Sequence, residues 1–147
     1  MMSRREARIL ALEALYAYEA AKHPVEELLR FGWKEPDSLS ESKETELAFA
    51  RLLISGVVRN IKRIDKTIKK HLQNWELSRL KRVDLAILRL STYSLLFQPD
   101  MPPGIIIDEA IELSMEYSTD DSYKFVNAVL DSIKTNIIQY NETQNRT

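Results

Sequence analysis

Three arginines near the N-terminus have side chains suited to binding phosphate groups. Arg4, Arg5 and Arg8 lie at positions i, i+1 and i+4 of a predicted helix, so Arg4 and Arg8 share one face. A guanidinium group can bind a phosphate through two parallel hydrogen bonds and can stack on a nucleobase. The spacing is therefore compatible with RNA binding, although from the residues alone a merely soluble terminus explains it slightly better.

A second candidate binding site lies at the start of the last predicted helix. Ser122, Lys124 and Phe125 follow directly after Asp121. The amide groups at a helix N-terminus attract phosphate, Lys124 adds a positive charge, and an aromatic ring can stack on a base. Two alternatives remain open at this stage: Asp121 as a helix N-cap, and Phe125 as a core residue beside Val126.

Patterns typical of enzymes and metal sites are missing from the sequence. It contains no cysteine, which excludes disulfides, thiolate metal sites and cysteine nucleophiles. The three glycines are isolated from one another, so none can belong to a phosphate-binding glycine loop. His23 and His71 do not have metal-binding spacing, and His71 follows two lysines, which favours an exposed basic residue. We expect no catalytic residue, no metal and no cofactor.

Two pairs of neighbouring carboxylates need no catalytic explanation. Asp108 and Glu109 form one pair, and Asp120 and Asp121 form the other. Both pairs lie at predicted helix starts, where acidic side chains cap free amide groups and complement the helix dipole. The sequence therefore predicts a structural role for them.

The formal net charge of −1 conceals an uneven distribution. From Arg59 to Arg82 there are nine Lys or Arg residues against two acids, a local charge of +7. From Asp100 to Asp131 there are eight acids against one lysine, a local charge of −7. The asymmetry predicts one basic and one acidic surface with different partners, although solvated helix faces explain it equally well. Whether the basic stretch contacts RNA stays open.

Helical periodicity accounts for most of the 147 residues, of which 44% are hydrophobic. A loop is predicted over residues 32–42, and a break in the third segment near Gly56 and Asn60. The predicted helical segments cover residues 4–21, 25–31, 43–72, 78–97, 105–117 and 121–139. We predict an all-α, compact bundle of about seven helices. The chain then forms a single domain over residues 1–147, with helical halves 1–72 and 75–139 and a polar tail, 140–147.

The distribution of apolar residues gives no sign of a membrane segment. No run approaches the roughly 18 apolar residues that a membrane-spanning helix needs. The N-terminus also lacks the uninterrupted apolar stretch of a signal peptide. We therefore expect a cytoplasmic protein.

Three segments resemble proteins of the NusB family of transcription antitermination factors. They are an Arg-rich opening followed by an Ala-Leu-Tyr helix (4–19), a central segment (75–96) and a C-terminal block (105–133). The C-terminal block is the most specific, because DEAIEL, SYKFVN and VLD follow one another in that order. The resemblance covers nearly the whole chain and implies an all-α fold of two helical subdomains.

The resemblance also implies a function and its partners. Proteins of this family pair with NusE, which is also a small-subunit ribosomal protein. The pair binds boxA-type single-stranded RNA and joins an antitermination complex with RNA polymerase, which supports processive transcription of ribosomal RNA operons. Such an adaptor makes no covalent change to its ligands. Homodimers occur among relatives, so the choice between monomer and homodimer stays open.

By position, the resemblance assigns contacts to nine residues. Phe125 is in the position suited to base stacking. The residues matching the two RNA-contact regions are Arg4, Arg5, Arg8, Asp121, Ser122, Lys124 and Phe125. The positions that face NusE are Tyr16 and Asp84.

Four residues depart from the family pattern. Glu6 interrupts the arginine cluster, and Ala128 replaces a glycine that is usual after Asn127. Asp84 and Ser94 each stand where a glutamate is common. The change at Glu6 bears on RNA affinity, and those at Asp84 and Ser94 bear on the partner contacts.

Two other functions are compatible with such a helical domain. Similar domains form the N-terminal part of some RNA cytosine methyltransferases, but this sequence has no Rossmann-like segment and no cofactor-binding glycine loop. The other alternative is a protein–protein scaffold whose working surface is the acidic C-terminal half. RNA binding that weakens steeply with salt would distinguish an RNA-binding protein from a scaffold.

Overall fold

The computed structural model describes residues 4–31, 44–73 and 76–145. In these ranges the regular structure is helical, which confirms the predicted all-α class. A single 3-10 turn at Leu77–Arg79 precedes the fifth α-helix. The predicted loop at 32–42 lies outside the described residues. The α-helices are α1 (Arg4–Ala21), α2 (Val25–Arg30), α3 (Glu44–Arg59), α4 (Ile61–Lys70), α5 (Arg82–Phe97), α6 (Pro103–Tyr117) and α7 (Ser122–Asn145).

The first of two compact units ends at Ile61 and consists of α1, α2 and α3. In α1 one stripe of small and apolar residues is buried at helical spacing, and α3 packs against this helix. Alanines in the stripe allow the two backbones to approach closely. The buried residues of the α1 stripe are Ala7, Leu10, Ala11, Ala14 and Leu15, and those of α3 are Ala50, Leu53, Ile54 and Val57.

The second unit begins at Lys62 and is organised around α5. Eleven consecutive residues of α5, Asp84–Ser94, are buried, so this helix is covered on every side. Both α6 and α7 pack on α5 and on each other. The sequence predicts one buried side for this helix, which includes Ile87, Leu88 and Ser91. In the structure, residues outside that side, such as Thr92, are buried as well.

The predicted break in the third helical segment is confirmed at Asn60. Helix α3 ends at Arg59 and α4 begins at Ile61. The side-chain amide of Asn60 donates a hydrogen bond of 2.8 Å to the carbonyl of Gly56. The backbone N–H of Asn60 donates to the same carbonyl at 3.2 Å, so the side-chain amide adds a second donor at the end of α3.

Two helix starts differ from the prediction. Helix α5 begins at Arg82 rather than Ser78, because Leu80 and Lys81 have extended backbone angles after the 3-10 turn. Helix α6 begins at Pro103, with proline at its first position. Asp108 and Glu109 therefore lie beyond the first turn of α6, and the capping explanation of this pair is wrong.

Helix α7 also extends further than predicted. It continues through Tyr140 to Asn145, where the sequence analysis placed a polar tail. No proline or glycine occurs between Ser122 and Asn145 to end it. Polarity alone was therefore a poor indicator of the helix end.

The boundary between the two compact units lies between Ile61 and Lys62, at the start of α4. Three contacts connect α4 and its C-terminal end to the other helices of the second unit. Asp65 pairs with Arg89 on α5, His71 Nδ1 lies 2.7 Å from Ser132 Oγ on α7, and the guanidinium of Arg63 lies 5.0 Å from the ring centre of Phe97.

Candidate RNA interface

The three predicted arginines of α1 differ in exposure. Arg4 and Arg5 are exposed, whereas Arg8 is buried with 1% of its surface accessible. The guanidinium of Arg4 lies 5.4 Å from the ring centre of Phe49, a cation–π contact that holds it against α3. Arg4 and Arg5 can therefore present their charge to a phosphate, whereas Arg8 lies in the interior of this conformation.

Tyr16 is the predicted partner-facing residue of α1. Its side chain is 41% exposed, while its neighbours Leu12 and Leu15 are buried. A half-exposed phenol combines a large apolar surface with a hydroxyl group, which suits a protein interface. Its contact with a partner stays a prediction.

A pocket of about 240 Å³ lies in the second unit. Three segments that are distant in the sequence form it: the chain leading into α5, the turn between α6 and α7, and the first turn of α7. Asp84, Asp121, Ser122 and Phe125, four of the predicted site residues, are brought together here. The lining residues are Arg79, Leu80, Lys81, Asp84, Thr119, Asp121, Ser122 and Phe125.

The carboxylate of Asp84 organises one wall of this pocket. Ser118 Oγ donates to its Oδ1 at 2.7 Å, and Ser122 Oγ donates to its Oδ2 at 3.0 Å. Asp84 and Ser122 are each only 5% exposed. Two donors offset part of the cost of burying the carboxylate. In this conformation both side chains are engaged within the chain, and their predicted contacts with partner and RNA stay predictions.

A directed chain of hydrogen bonds extends from this carboxylate to the protein surface. Lys81 Nζ donates to Thr119 Oγ1, and Thr119 Oγ1 lies 3.1 Å from Ser122 Oγ. Because the single hydroxyl hydrogen of Ser122 is used on Asp84, Thr119 must be the donor to Ser122. The chain of donors holds the turn before α7 against the start of α5.

The aromatic ring of Phe125 is half-buried and lines the pocket, while the adjacent Val126 is fully buried. Phe125 is therefore partly a core residue and partly available for contact with a ligand. One part of the ring is covered by the protein, and the part that lines the pocket is accessible to a flat ligand.

The charges beside Phe125 belong to solvent-exposed groups. Lys124 Nζ lies 3.9 Å from Asp121 Oδ1, and the two side chains are 68% and 91% exposed. An ion pair so exposed contributes little stability. Lys124 can therefore exchange Asp121 for a phosphate at small cost.

Four pocket residues were not assigned to the site from the sequence: Arg79, Leu80, Lys81 and Thr119. Arg79 and Lys81 were visible only as part of the basic stretch, whose role stayed open. Thr119 gave no signal, because a threonine in a polar turn is ordinary. Only the fold brings these residues next to Phe125.

His71 differs from its interpretation as an exposed basic residue. It is half-buried beside Ser132. Burial, and then the neighbouring charge of Lys70, lower the pKa of His71 from its ordinary value of 6.5. His71 is therefore mostly neutral at pH 7.

The described ranges show neither a metal-binding cluster nor a membrane-spanning helix. Residues 4–31, 44–73 and 76–145 contain no cluster of His, Cys, Asp or Glu side chains that could hold a metal ion. Within these same ranges, no helix has the length and apolar character needed to cross a membrane.

Comparison with known proteins identifies the family. The model of the NusB family matches residues 5–135, which include both candidate RNA-contact regions except Arg4. The chain belongs to the NusB family. The transcription antitermination protein NusB of Treponema denticola is 50% identical over 133 residues, covering 90% of this chain and 96% of the relative.

Solved structures of NusB proteins have the same fold. T. maritima NusB is 38% identical, with a TM-score of 0.80 over 90% of this chain and 91% of its own. A structure of the antitermination factors NusB and NusE in complex with double-stranded RNA is 29% identical. It also has a TM-score of 0.80, over 90% of this chain and 96% of that one.

Proposed function

We propose that this protein is a transcription antitermination factor that binds boxA-type RNA together with NusE. In this role it supports processive transcription of ribosomal RNA operons as part of a complex with RNA polymerase. Membership of the NusB family and the 50% identity to an antitermination protein support this function. A related structure containing NusB, NusE and double-stranded RNA supports the two kinds of partner.

The protein acts as an adaptor and not as an enzyme. Its contribution is to hold RNA and partner together, with no bond made or broken. The site supports this assignment because its buried carboxylate, Asp84, is already occupied by the hydroxyl groups of Ser118 and Ser122. Because transcription takes place in the cytoplasm of bacteria, we assign the protein to that compartment.

RNA recognition divides into positioning and base reading. Arg4, Arg5 and Lys124 are exposed cations that contact phosphates. Phe125 stacks on a base that enters the pocket, beside Lys81 and Arg79. Single-stranded RNA suits such a pocket, because its unpaired bases can be turned outwards and stacked on an aromatic ring.

Of the remaining assigned residues, some contact a ligand directly and others hold the contacting residues in place. Tyr16 contacts NusE directly with its exposed ring. Arg8, Asp84 and Ser122 are buried and act by holding the exposed residues in place. Asp121, at the edge of the pocket, holds Lys124 until a phosphate replaces it. Bound NusE extends the RNA surface, so RNA and partner strengthen each other's binding.

The observation that carries this proposal is the half-exposed ring of Phe125 in a pocket with Arg79 and Lys81. Phe125→Ala should weaken binding of boxA-type RNA by about 1–3 kcal/mol, because one stacked base is lost. Binding of a scrambled RNA should change less. Both affinities are measured by fluorescence anisotropy.

Tyr140→Ala is the matched control, since Tyr140 is an exposed aromatic residue on the same helix and lies outside the pocket. It should leave both RNA affinities unchanged. Equal weakening of boxA-type and scrambled RNA by Phe125→Ala would argue against base stacking. Loss of the helical circular dichroism signal in that variant would assign Phe125 to the core.

A further inference from the structure

The acceptor groups that line the pocket of the candidate RNA interface are already engaged within the chain. The carboxylate of Asp84 is buried, and each of its oxygens accepts a hydrogen bond from a serine. Ser122 Oγ lies 3.1 Å from Thr119 Oγ1 and accepts its hydrogen bond. Asp121, at the edge of the pocket, is 91% exposed and lies beside Lys124. A ligand inside the pocket therefore meets donors more readily than acceptors.

Arg79 is the lining residue with the most donors to offer. Its side chain is exposed, and no hydrogen bond or ion pair joins it to another side chain in the part of the chain that the structure describes. A guanidinium group has five N–H donors in a planar fork and no acceptor. The backbone of Arg79 is held by its own hydrogen bond of 3.0 Å to Glu76 in the 3-10 turn, and Lys81, two residues later, is bonded to Thr119. The fork is therefore presented to the pocket from a fixed backbone position.

We propose that the base bound in this pocket is a guanine, which Arg79 selects through two hydrogen bonds to the guanine O6 and N7 atoms. Phe125 stacks on the face of the same base. The inference rests on the proposed function and deepens it, because it names the base that the pocket reads. Arg79 is then a specificity-determining residue of the RNA site, and not only a cation beside it.

The hydrogen-bonding edges of the four bases favour guanine in a pocket that offers donors. Guanine presents two adjacent acceptors, O6 and N7, which match the fork of an arginine. On the corresponding edge, adenine pairs the acceptor N7 with an amino donor, cytosine carries an amino donor, and uracil has the single acceptor O4. An amino group facing Arg79 would leave two donors opposed to each other, because the neighbouring acceptors are engaged with the protein.

The surroundings of Arg79 favour a base over a phosphate group. Leu80 and Phe125 line the same pocket and give it apolar walls. An apolar wall is unfavourable for a phosphate, because it replaces part of the water around the charge. The face of a base gains from the same contact by stacking. Other exposed cations of the candidate RNA interface are available for the phosphates: Arg4, Arg5 and Lys124.

Base analogues test the inference on the unmodified protein. The probes are single-stranded oligouridines of about 12 nucleotides with one central guanosine, 7-deazaguanosine, inosine or adenosine. The 7-deaza analogue lacks the N7 acceptor, whereas inosine keeps O6 and N7 and lacks only the amino group. Guanosine and inosine should bind alike, adenosine roughly 5- to 150-fold more weakly, and 7-deazaguanosine between them. Fluorescence anisotropy at low salt measures the four affinities.

Arg79→Gln should abolish the preference for guanosine over adenosine, because the donor fork is lost. The affinity for the adenosine probe should change little, and so should the slope of log K against log salt. A phosphate contact behaves differently, since its loss weakens all probes alike and lowers that slope by about 1. A uniform loss of this kind would refute base reading by Arg79.

Arg82→Gln is the matched control, since Arg82 is an exposed arginine three residues further along the chain and does not line the pocket. It removes the same charge and should keep the preference for guanosine. Equal loss of preference in both variants would contradict a specific role of Arg79. If Arg79→Gln lowers the helical circular dichroism signal, the base analogues on the unmodified protein decide the question alone.

Two results on the unmodified protein would overturn the inference: equal binding of the guanosine and adenosine probes, or 7-deazaguanosine bound as tightly as guanosine. If boxA-type RNA is still preferred over scrambled RNA, this inference alone fails and the proposed function stands. A preference for guanosine without a preference for boxA-type RNA would support the guanine pocket and reject the proposed function. No binding of any RNA would refute both.

Discussion

At the scale of single residues, the buried carboxylate of Asp84 determines the shape of the candidate site. It accepts hydrogen bonds from Ser118 and Ser122, which lie at the two ends of the turn between α6 and α7. The same turn is held from outside by Lys81 through Thr119. One short side chain therefore fixes the turn that precedes Phe125.

Asp84→Asn should destabilise the protein and lower its RNA selectivity. An amide group has only one oxygen, so one of the two serine hydroxyls would face an NH2 donor and lose its acceptor. Leaving a buried polar group without a partner costs about 1–3 kcal/mol. Urea unfolding measures the change in the free energy of unfolding.

Asp120→Asn provides the control for Asp84→Asn, because Asp120 is exposed in the same turn. It should leave the free energy of unfolding unchanged. An Asp84→Asn protein as stable as the unmodified one would show that the hydrogen bonds to this carboxylate are not important for the turn.

The two arginines Arg5 and Arg8 should give opposite results on substitution. Arg5 is exposed, so Arg5→Ala should reduce the salt slope of RNA binding by about 1 and leave stability unchanged. Arg8 is buried, so Arg8→Ala should lower the free energy of unfolding by about 1–3 kcal/mol. Anisotropy and urea unfolding measure the two effects, and a stable Arg8→Ala protein with the larger loss of RNA binding would contradict this division.

The sequence predicts which residue types occur at the site but not their exposure. Arg4 and Arg8 are one helical turn apart, so their common face is predictable. What covers Arg8 is not predictable, because it depends on residues distant in the sequence. The sequence does not assign Thr119 and Lys81 to the site for the same reason, since only the fold brings them to Phe125.

At the scale of elements, helical periodicity predicts α1 and the break between α3 and α4 well. The continuous apolar stripe of α1 is a local signal in the sequence. The weak helix formers Gly56 and Asn60 are the local signal for the break. The predicted start of α5 and the predicted end of α7 were wrong, because neither position depends on local polarity. Leu80 and Lys81 extend the chain before α5, and α7 continues because nothing interrupts it.

The contact between the end of α4 and α7 should make stability depend on pH. His71 has a pKa below its ordinary value of 6.5 in the folded protein, so the unfolded chain takes up the proton first as the pH falls. The contribution of His71 to the free energy of unfolding is therefore fully present above pH 6.5. It is lost as the pH falls through the pKa that His71 has in the folded protein. Urea unfolding on both sides of 6.5 measures this decrease.

His71→Gln should remove part of that decrease, because glutamine has no titratable group. The same pH dependence in the unmodified and the His71→Gln proteins would refute the role of His71.

At the scale of the whole molecule, the family and the all-α class follow from the sequence, whereas the surfaces do not. The order of DEAIEL, SYKFVN and VLD indicates the NusB family, and the family match over residues 5–135 confirms it. In the sequence, residues 59–82 form one continuous basic stretch with a local charge of +7. In the structure, Arg79 and Lys81 line the pocket, while Lys62 to Lys70 form a separate face on α4.

The central claim is that one protein couples RNA selection to a protein partner. The most direct measurement is the anisotropy of a short boxA-type RNA, titrated with this protein in the presence and absence of NusE, beside a scrambled RNA. We expect preferential binding of the boxA-type RNA and a further gain in affinity when NusE is present. Binding that is absent, or that is indifferent to both sequence and partner, would contradict the adaptor function.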